Sequence, residues 1–176
     1  MRNLPLLIVL LSFLSFAKAQ SFFDFTLPSV TDTSHFTLRK AKGKFVALHF
    51  LLKTECPFCI RHTHEYFENA GTLPNVLQIF IKPDSEEEIK EWVNKLSDNE
   101  SPKYPIYQDK DAMLATQFNI PDGYVFHRQV VHYPALILLD EEGKEVFRYI
   151  GKNNSDRYSF EKFSAKIQEL RQSKKP

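Results

Sequence analysis

Net charge is nearly absent from this chain of 176 residues: 23 Lys and Arg stand against 22 Asp and Glu. No global field therefore draws it to nucleic acid or to an anionic membrane. Cysteine is scarce as well, with only Cys56 and Cys59 present. A structural zinc site needs roughly four ligands, commonly a second cysteine pair or two suitably spaced histidines, so no metal is expected. Past the N-terminus no apolar run approaches the ~20 residues of a membrane-spanning helix. Internal repeats and low-complexity segments are missing too. What is present is ordinary: 43% hydrophobic and 26% charged residues argue against disorder and for one folded domain with a substantial core. Sixteen Phe make that core aromatic-rich without specifying a ligand.

The first residues differ from the rest. Met1-Arg2-Asn3 is a short positive n-region, Leu6 to Phe16 an apolar h-region, and Ala17-Lys18-Ala19 an A-x-A cleavage signal. The pattern predicts a signal peptide over residues 1–19, a mature chain from Gln20, and no stable membrane insertion after cleavage. The protein is then exported, to a periplasm or a secretory lumen, where a disulfide can form and persist.

Cys56 and Cys59 follow the apolar run Phe45 to Leu52, which reads as a buried strand covered on both faces. Helix-compatible sequence follows them, and Pro57 suits a first helical turn. A strand ending in Cys-x-x-Cys before a helix is the local pattern of a thiol–disulfide redox pair. Cys56 then sits at the helix N-terminus, where free N–H groups stabilise a thiolate. Two other readings stay open. One is a static staple, weakly stabilising because the closed loop is so short; the other is a metal site using nearby His62 and His64. Those two histidines stand two apart, which points them in different directions on a helix and makes solvent-facing positions the better expectation. His49 is the only titratable residue in the strand, a hydrogen-bonded core histidine or a proton-transfer group. Glu55 is read as a solvated flank.

Along the chain, Phe22 to Pro28 reads as a strand closed by proline, and Val76 to Ile81 as a second buried strand stopped by Lys82-Pro83-Asp84. Ser85 caps an amphipathic helix with Ile89, Trp92, Val93 and Leu96 on one face. Lys110 to Phe118 is a short helix turning Met113, Leu114 and Phe118 inward. Tyr124 to Tyr133 is an insertion near the site. Pro134 to Asp140 and Glu145 to Ile150 form a hairpin, Asn153 to Asp156 caps a last helix carrying Phe160, Phe163, Ile167 and Leu170, and residues 173–176 are a basic tail. This order predicts an α/β sandwich with a central mixed sheet flanked by helices.

Four pieces together resemble the thioredoxin-like superfamily, in its redoxin branch of alkyl hydroperoxide reductases, thiol-specific antioxidants and cytochrome-maturation thioredoxins. They are Phe25-Thr26-Leu27-Pro28, Gly43 to Phe50, Cys56-Pro57-Phe58-Cys59 and Tyr133 to Gly143. The resemblance spans Ser21 to about Leu170. It implies a thioredoxin-like three-layer sandwich over residues 20–172 and a thiol–disulfide oxidoreductase with no cofactor. Its partners would be protein thiol or disulfide substrates and a redox partner protein. It further implies that Cys56 is the attacking cysteine and Cys59 the buried resolving one. Tyr133 and a cis Pro134 would hold backbone open for a substrate chain. The chain departs from the peroxide-reducing members: Cys56 stands where they carry Thr or Ser three residues before the reactive cysteine, and Pro134 occupies the place of their arginine. It departs from thioredoxins in having Glu55 before the first cysteine and His49 near the place of their buried acid. Dithiol–disulfide exchange is the reading these departures favour over peroxidase activity.

Overall fold

The structure, a computed structural model, describes residues 23–53, 56–96, 102–126 and 129–173. The leader, Glu55 and residues 174–176 lie outside the described residues.

Strand β3 (Phe45–Phe50) is buried along its whole length, as its sequence, apolar apart from His49, leads one to expect. It lies at the centre of a five-stranded sheet whose order is β5 (Ile106–Gln108), β4 (Val76–Lys82), β3, β8 (Ala135–Leu139) and β9 (Glu145–Ile150). β4 pairs parallel to it on one side, and β8 antiparallel on the other. β5 extends the parallel side, and β9 closes the antiparallel side through a turn at Gly143, whose φ is +83°. The parallel β3–β4 pair needs a crossover, and α1 (Pro57–Asn69) supplies it.

Alternation along β3 divides the core into two layers. Phe45 and Ala47 face one cluster with Tyr66 and Phe67 of α1, Trp92 of α2 (Glu86–Leu96), and Phe163 and Ile167 of α4 (Phe160–Ser173). Val46, Leu48 and Phe50 face the other. That side is covered by the short hairpin of β1 (Thr26–Pro28) with β2 (His35–Thr37) and by α3 (Met113–Gln117). The result is the three-layer mixed α/β sandwich expected from the sequence. The Ser85 cap is realised as a reciprocal box, Glu88 N–H donating to Ser85 Oγ at 3.3 Å and Ser85 N–H to Glu88 Oε2 at 2.9 Å.

Several expectations need correction. Of the three side chains expected inward, Leu114 is buried and Phe118 packs on the core, but Met113 is 61% exposed where the chain turns through left-handed Asp111 and Ala112, and Ala115 takes the other inward place on α3. Asn153 to Asp156 does not cap α4; the first N–H groups of the helix go to Ser159 Oγ, which accepts from Lys162 N–H at 3.5 Å, and to Glu65 Oε1, which accepts from Phe160 N–H at 2.8 Å. α4 continues through Ser173, past the start assigned to the tail. The stretch read as an insertion, Tyr124 to Tyr133, falls in a two-stranded ribbon of β6 (Asp122–Phe126) and β7 (Gln129–His132). The Tyr133–Pro134 bond is trans, since no peptide bond among the described residues is cis. The ribbon explains the course of the chain there: Tyr133 N–H donates to Pro121 O at 3.0 Å, and Gly151 N–H donates to Pro134 O at 2.8 Å, drawing the segment straight into β8.

Candidate redox site

The C-terminal ends of parallel strands β3 and β4 deliver the chain into the site, and α1 starts there. Pro57 occupies the first helical position and Cys56 is the N-cap, as its place after the strand led one to expect. Cys59 N–H donates to Cys56 Sγ at 3.1 Å. Cys59 lies one turn in and is fully buried, whereas Cys56 is 7% exposed. Leu52 N–H, at the end of the strand, donates to Cys59 Sγ at 3.3 Å. Both cysteines are free thiols.

A residue that no spacing argument pointed to completes the pair. Arg157 lies in the loop between β9 and α4, and its Nη2 donates to Cys56 Sγ at 3.3 Å and to Cys59 Sγ at 3.2 Å. Its Nη1 donates to the carbonyls of Asn154 and Asp156 at 2.9 and 3.0 Å. The loop is itself pinned. Asp156 accepts from the Tyr149 hydroxyl at 2.5 Å and from Lys152 N–H at 2.9 Å, and both contacts hold its carboxyl below the usual range. On the opposite side of the pair, Lys82 at the end of β4 is fully buried. It donates to Leu52 O at 2.6 Å, pairs with Asp84 at 3.1 Å and stands 4.7 Å over the Trp92 ring.

These groups divide one charge between two sulfurs. Burial pushes the Cys59 thiol up, but the hydrogen bond from Cys56, then the charges of Lys82 and Arg157, outweigh it and bring Cys59 down to about 6. Cys56 moves the other way, raised first by its hydrogen bond to Cys59 and then by burial. The two opposed shifts favour a single thiolate on the pair near neutral pH. The helix N-terminus itself serves Cys56, through the Cys59 N–H, while the Cys56 hydrogen bond and the charges of Lys82 and Arg157 favour the thiolate at Cys59.

A cleft of about 240 Å³ opens onto Cys56, lined also by Leu52, Lys53, Phe58, Tyr124 and Asn154. Tyr124 comes from the β6–β7 ribbon, so that insertion does lie at the site. Burial and then the two sulfurs raise its phenol. A larger cleft of about 600 Å³ adjoins it through Lys53 but does not touch the cysteines.

His49 is a hydrogen-bonded core histidine. Its Nδ1 lies 3.0 Å from His62 Nε2, its Nε2 lies 2.8 Å from Gln78 Oε1, and burial pulls it down to about 4. Both ring nitrogens are thereby engaged away from the sulfurs. His62 is not solvent-facing: it is 6% exposed, burial depresses it well below the ordinary value, and only His64 faces out. The sequence held the signal, because Cys59, His62, Thr63, Tyr66 and Phe67 form an i, i+3, i+4, i+7, i+8 stripe, and all five are buried. Among the described residues no group of three His, Cys, Asp or Glu could hold a metal ion. Tyr133 is half-buried, and its carbonyl accepts from His132 Nδ1 at 2.7 Å. With its N–H and the Pro134 carbonyl also engaged, the backbone that the resemblance reserved for a substrate strand is occupied within the protein.

Comparison with known proteins bears on the same region. A search of curated proteins finds no match. The AhpC/TSA family profile matches residues 19–146, most of the chain and both cysteines with it. The chain belongs to the AhpC/TSA family. Solved structures agree on the fold. AhpC of Enterococcus faecalis superposes with a TM-score of 0.72 at 19% identity, over 86% of this chain and 90% of that one. A reduced 2-Cys peroxiredoxin of Plasmodium vivax gives 0.69 at 18%, over 87% and 95%. The exposed lipoprotein thioredoxin of Streptococcus pneumoniae gives 0.66 at 22%, over 84% and 100%. The redoxin resemblance and the thioredoxin-like sandwich both stand. As an AhpC/TSA member the chain falls in a family of thiol-dependent redox proteins, which act on thiol or peroxide chemistry and draw on a reductant. Arg157 changes one departure noted in the sequence: an arginine does reach the cysteines, although it arrives from a loop after β9 and not from the position of Pro134.

Proposed function

We propose that this AhpC/TSA member is an exported thiol–disulfide oxidoreductase working through Cys56 and Cys59 on protein substrates. The observation that carries the reading is one guanidinium bonded to two adjacent sulfurs, with only Cys56 opening onto a cleft. Exchange requires a thiolate and a neighbouring thiol that can release the mixed disulfide. The reduced pair holds one thiolate and one S–H. Cys56 attacks a substrate disulfide as its proton passes to Cys59, forming a mixed disulfide and expelling the first substrate sulfur, which takes up that proton. Cys59 then attacks Cys56 Sγ, closing the protein disulfide and releasing the second substrate sulfur as thiolate. Two electrons reach the substrate, and a partner protein dithiol restores the pair. The reverse sequence oxidises a substrate dithiol. Residues 1–19 support export through their charged, apolar and Ala-x-Ala segments.

Insulin reduction by the mature chain tests this. Turnover is expected for wild type and its loss for Cys56→Ser, while Cys59→Ser should accumulate mixed disulfides. A wild type no faster than Cys56→Ser would overturn it. A peroxidase reading is favoured by one observation, the thiolate placed on Cys59 beside Arg157. There Cys59 would attack a hydroperoxide to give a sulfenic acid and an alcohol, and Cys56 would condense with it, releasing water. Peroxide consumption that survives Cys56→Ser and vanishes in Cys59→Ser would establish that reading over ours.

A further inference from the structure

Arg157 carries five N–H donors. Four are placed: two from Nη1 on the Asn154 and Asp156 carbonyls, and two from Nη2 on the sulfurs. The fifth, on Nε, is buried with no partner among the described residues. A second buried atom in the same condition is His62 Nδ1. Both residues line one small cavity of about 10 Å³, together with Pro134, Tyr149, Asp156 and Tyr158. That volume matches one water, and a buried water needs polar partners of this kind.

The tautomers along α1 and the sheet fix the direction of the contact. An amide oxygen only accepts, so His49 Nε2 carries a proton to Gln78 Oε1. His49 Nδ1 is then bare and must accept from His62 Nε2–H. His62 Nδ1 is left as an acceptor, facing the cavity it shares with a guanidinium donor. A single water can accept from Arg157 Nε–H and donate to His62 Nδ1, closing a chain in which every hydrogen bond points the same way.

We propose that one bound water bridges Arg157 Nε and His62 Nδ1, and that His62, oriented by His49 and Gln78, is a positioning residue for the arginine that holds the thiolate. His62 touches neither sulfur in this role. It sets the rotation of the guanidinium plane, and through it the placement of Nη2 between Cys56 and Cys59. The inference rests on the Arg157–cysteine geometry and holds whichever direction the pair transfers electrons. The other groups that face the thiolate are Lys82, paired with Asp84 at the end of β4, and Tyr124 from the ribbon, with Asp156, Tyr149 and Tyr158 around Arg157; the side-chain hydrogen bond of His62 goes to His49 and not to any of them.

The test is the ultraviolet titration of the thiolate in the reduced mature protein, which needs no substrate. His62→Leu removes the acceptor and should raise the midpoint, lowering the ionisation constant several-fold. His62→Asn places an amide oxygen close to where Nδ1 was and should restore the wild-type midpoint. An unchanged midpoint in a folded His62→Leu protein, or equal shifts in both variants, would overturn the proposal. Should His62→Leu fail to fold, nitrogen-15 NMR of wild type decides: His62 protonated at Nε2 and bare at Nδ1 is expected, and a proton on Nδ1 contradicts the bridge.

Discussion

At the scale of single residues the site turns on how one cation serves two sulfurs. Arg157 reaches both because a guanidinium is a planar fork, a geometry that an ammonium lacks. Arg157→Leu should therefore move the thiolate midpoint upward from about 6 toward the ordinary thiol value of 9.0, and Arg157→Lys should restore only part of the difference. The sign for the redox couple follows. A depressed Cys59 stabilises the reduced form, so its loss makes the pair easier to oxidise and the potential more negative. Each tenfold loss of thiolate stabilisation corresponds to about 30 mV for two electrons. Equilibration against glutathione measures both variants, and a potential in Arg157→Leu equal to or above wild type would contradict the assignment. Nothing in the sequence near Cys56 announces this residue. It stands 98 positions beyond Cys59 in a polar loop with no periodicity, and only the tertiary fold brings it back.

Elements differ in how much of themselves they wrote locally. β3, α1 and α2 were legible because each is fixed by its own pattern: an apolar run, a proline at the first helical turn, a Ser85–Glu88 capping box. The buried stripe through His62 was equally local, and the spacing of His62 from His64 obscured it. The Pro134 segment and the 152–156 loop were not legible, because their courses are set by partners far along the chain. Pro121 holds Tyr133, and Gly151 holds Pro134. Gly151 matters here for space. A Cβ at that position would lie 2.5 Å from the Asp156 carbonyl oxygen and 2.7 Å from Pro134 Cγ, and neither backbone nor ring can yield cheaply. Gly151→Ala should thus cost about 1–3 kcal/mol, the usual range for overpacking, and should displace the turn that carries Arg157. Urea unfolding reads the first effect and thiolate titration the second. A full loss of stability without any rise in the thiolate midpoint would show that the turn and the arginine are not coupled.

For the whole molecule, the burial of His49 and His62 against the sheet and the charge on the cysteine pair act on stability over adjoining pH windows. His49 is drawn from 6.5 to about 4, so between those values the unfolded chain binds a proton that the folded one refuses. Stability must fall as pH drops through that window, by about 1.4 kcal/mol per pH unit for each histidine held neutral. His62, also depressed by burial, adds in the same direction. Cys59 extends the trend upward. Its thiol is lowered from 9.0 to about 6, so the reduced fold gains stability as pH rises from about 6 and holds the full gain near 9. Once the pair is closed as a disulfide the cysteine contribution disappears while the histidine contribution stays. Urea unfolding from pH 5 to 8.5 should then give a reduced protein whose stability climbs across the whole range. The oxidised protein should level off above about pH 6.5. Parallel curves for the two forms above that point would mean that the thiolate is not held by the fold, and that the guanidinium contacts at Cys56 and Cys59 contribute nothing to its stability.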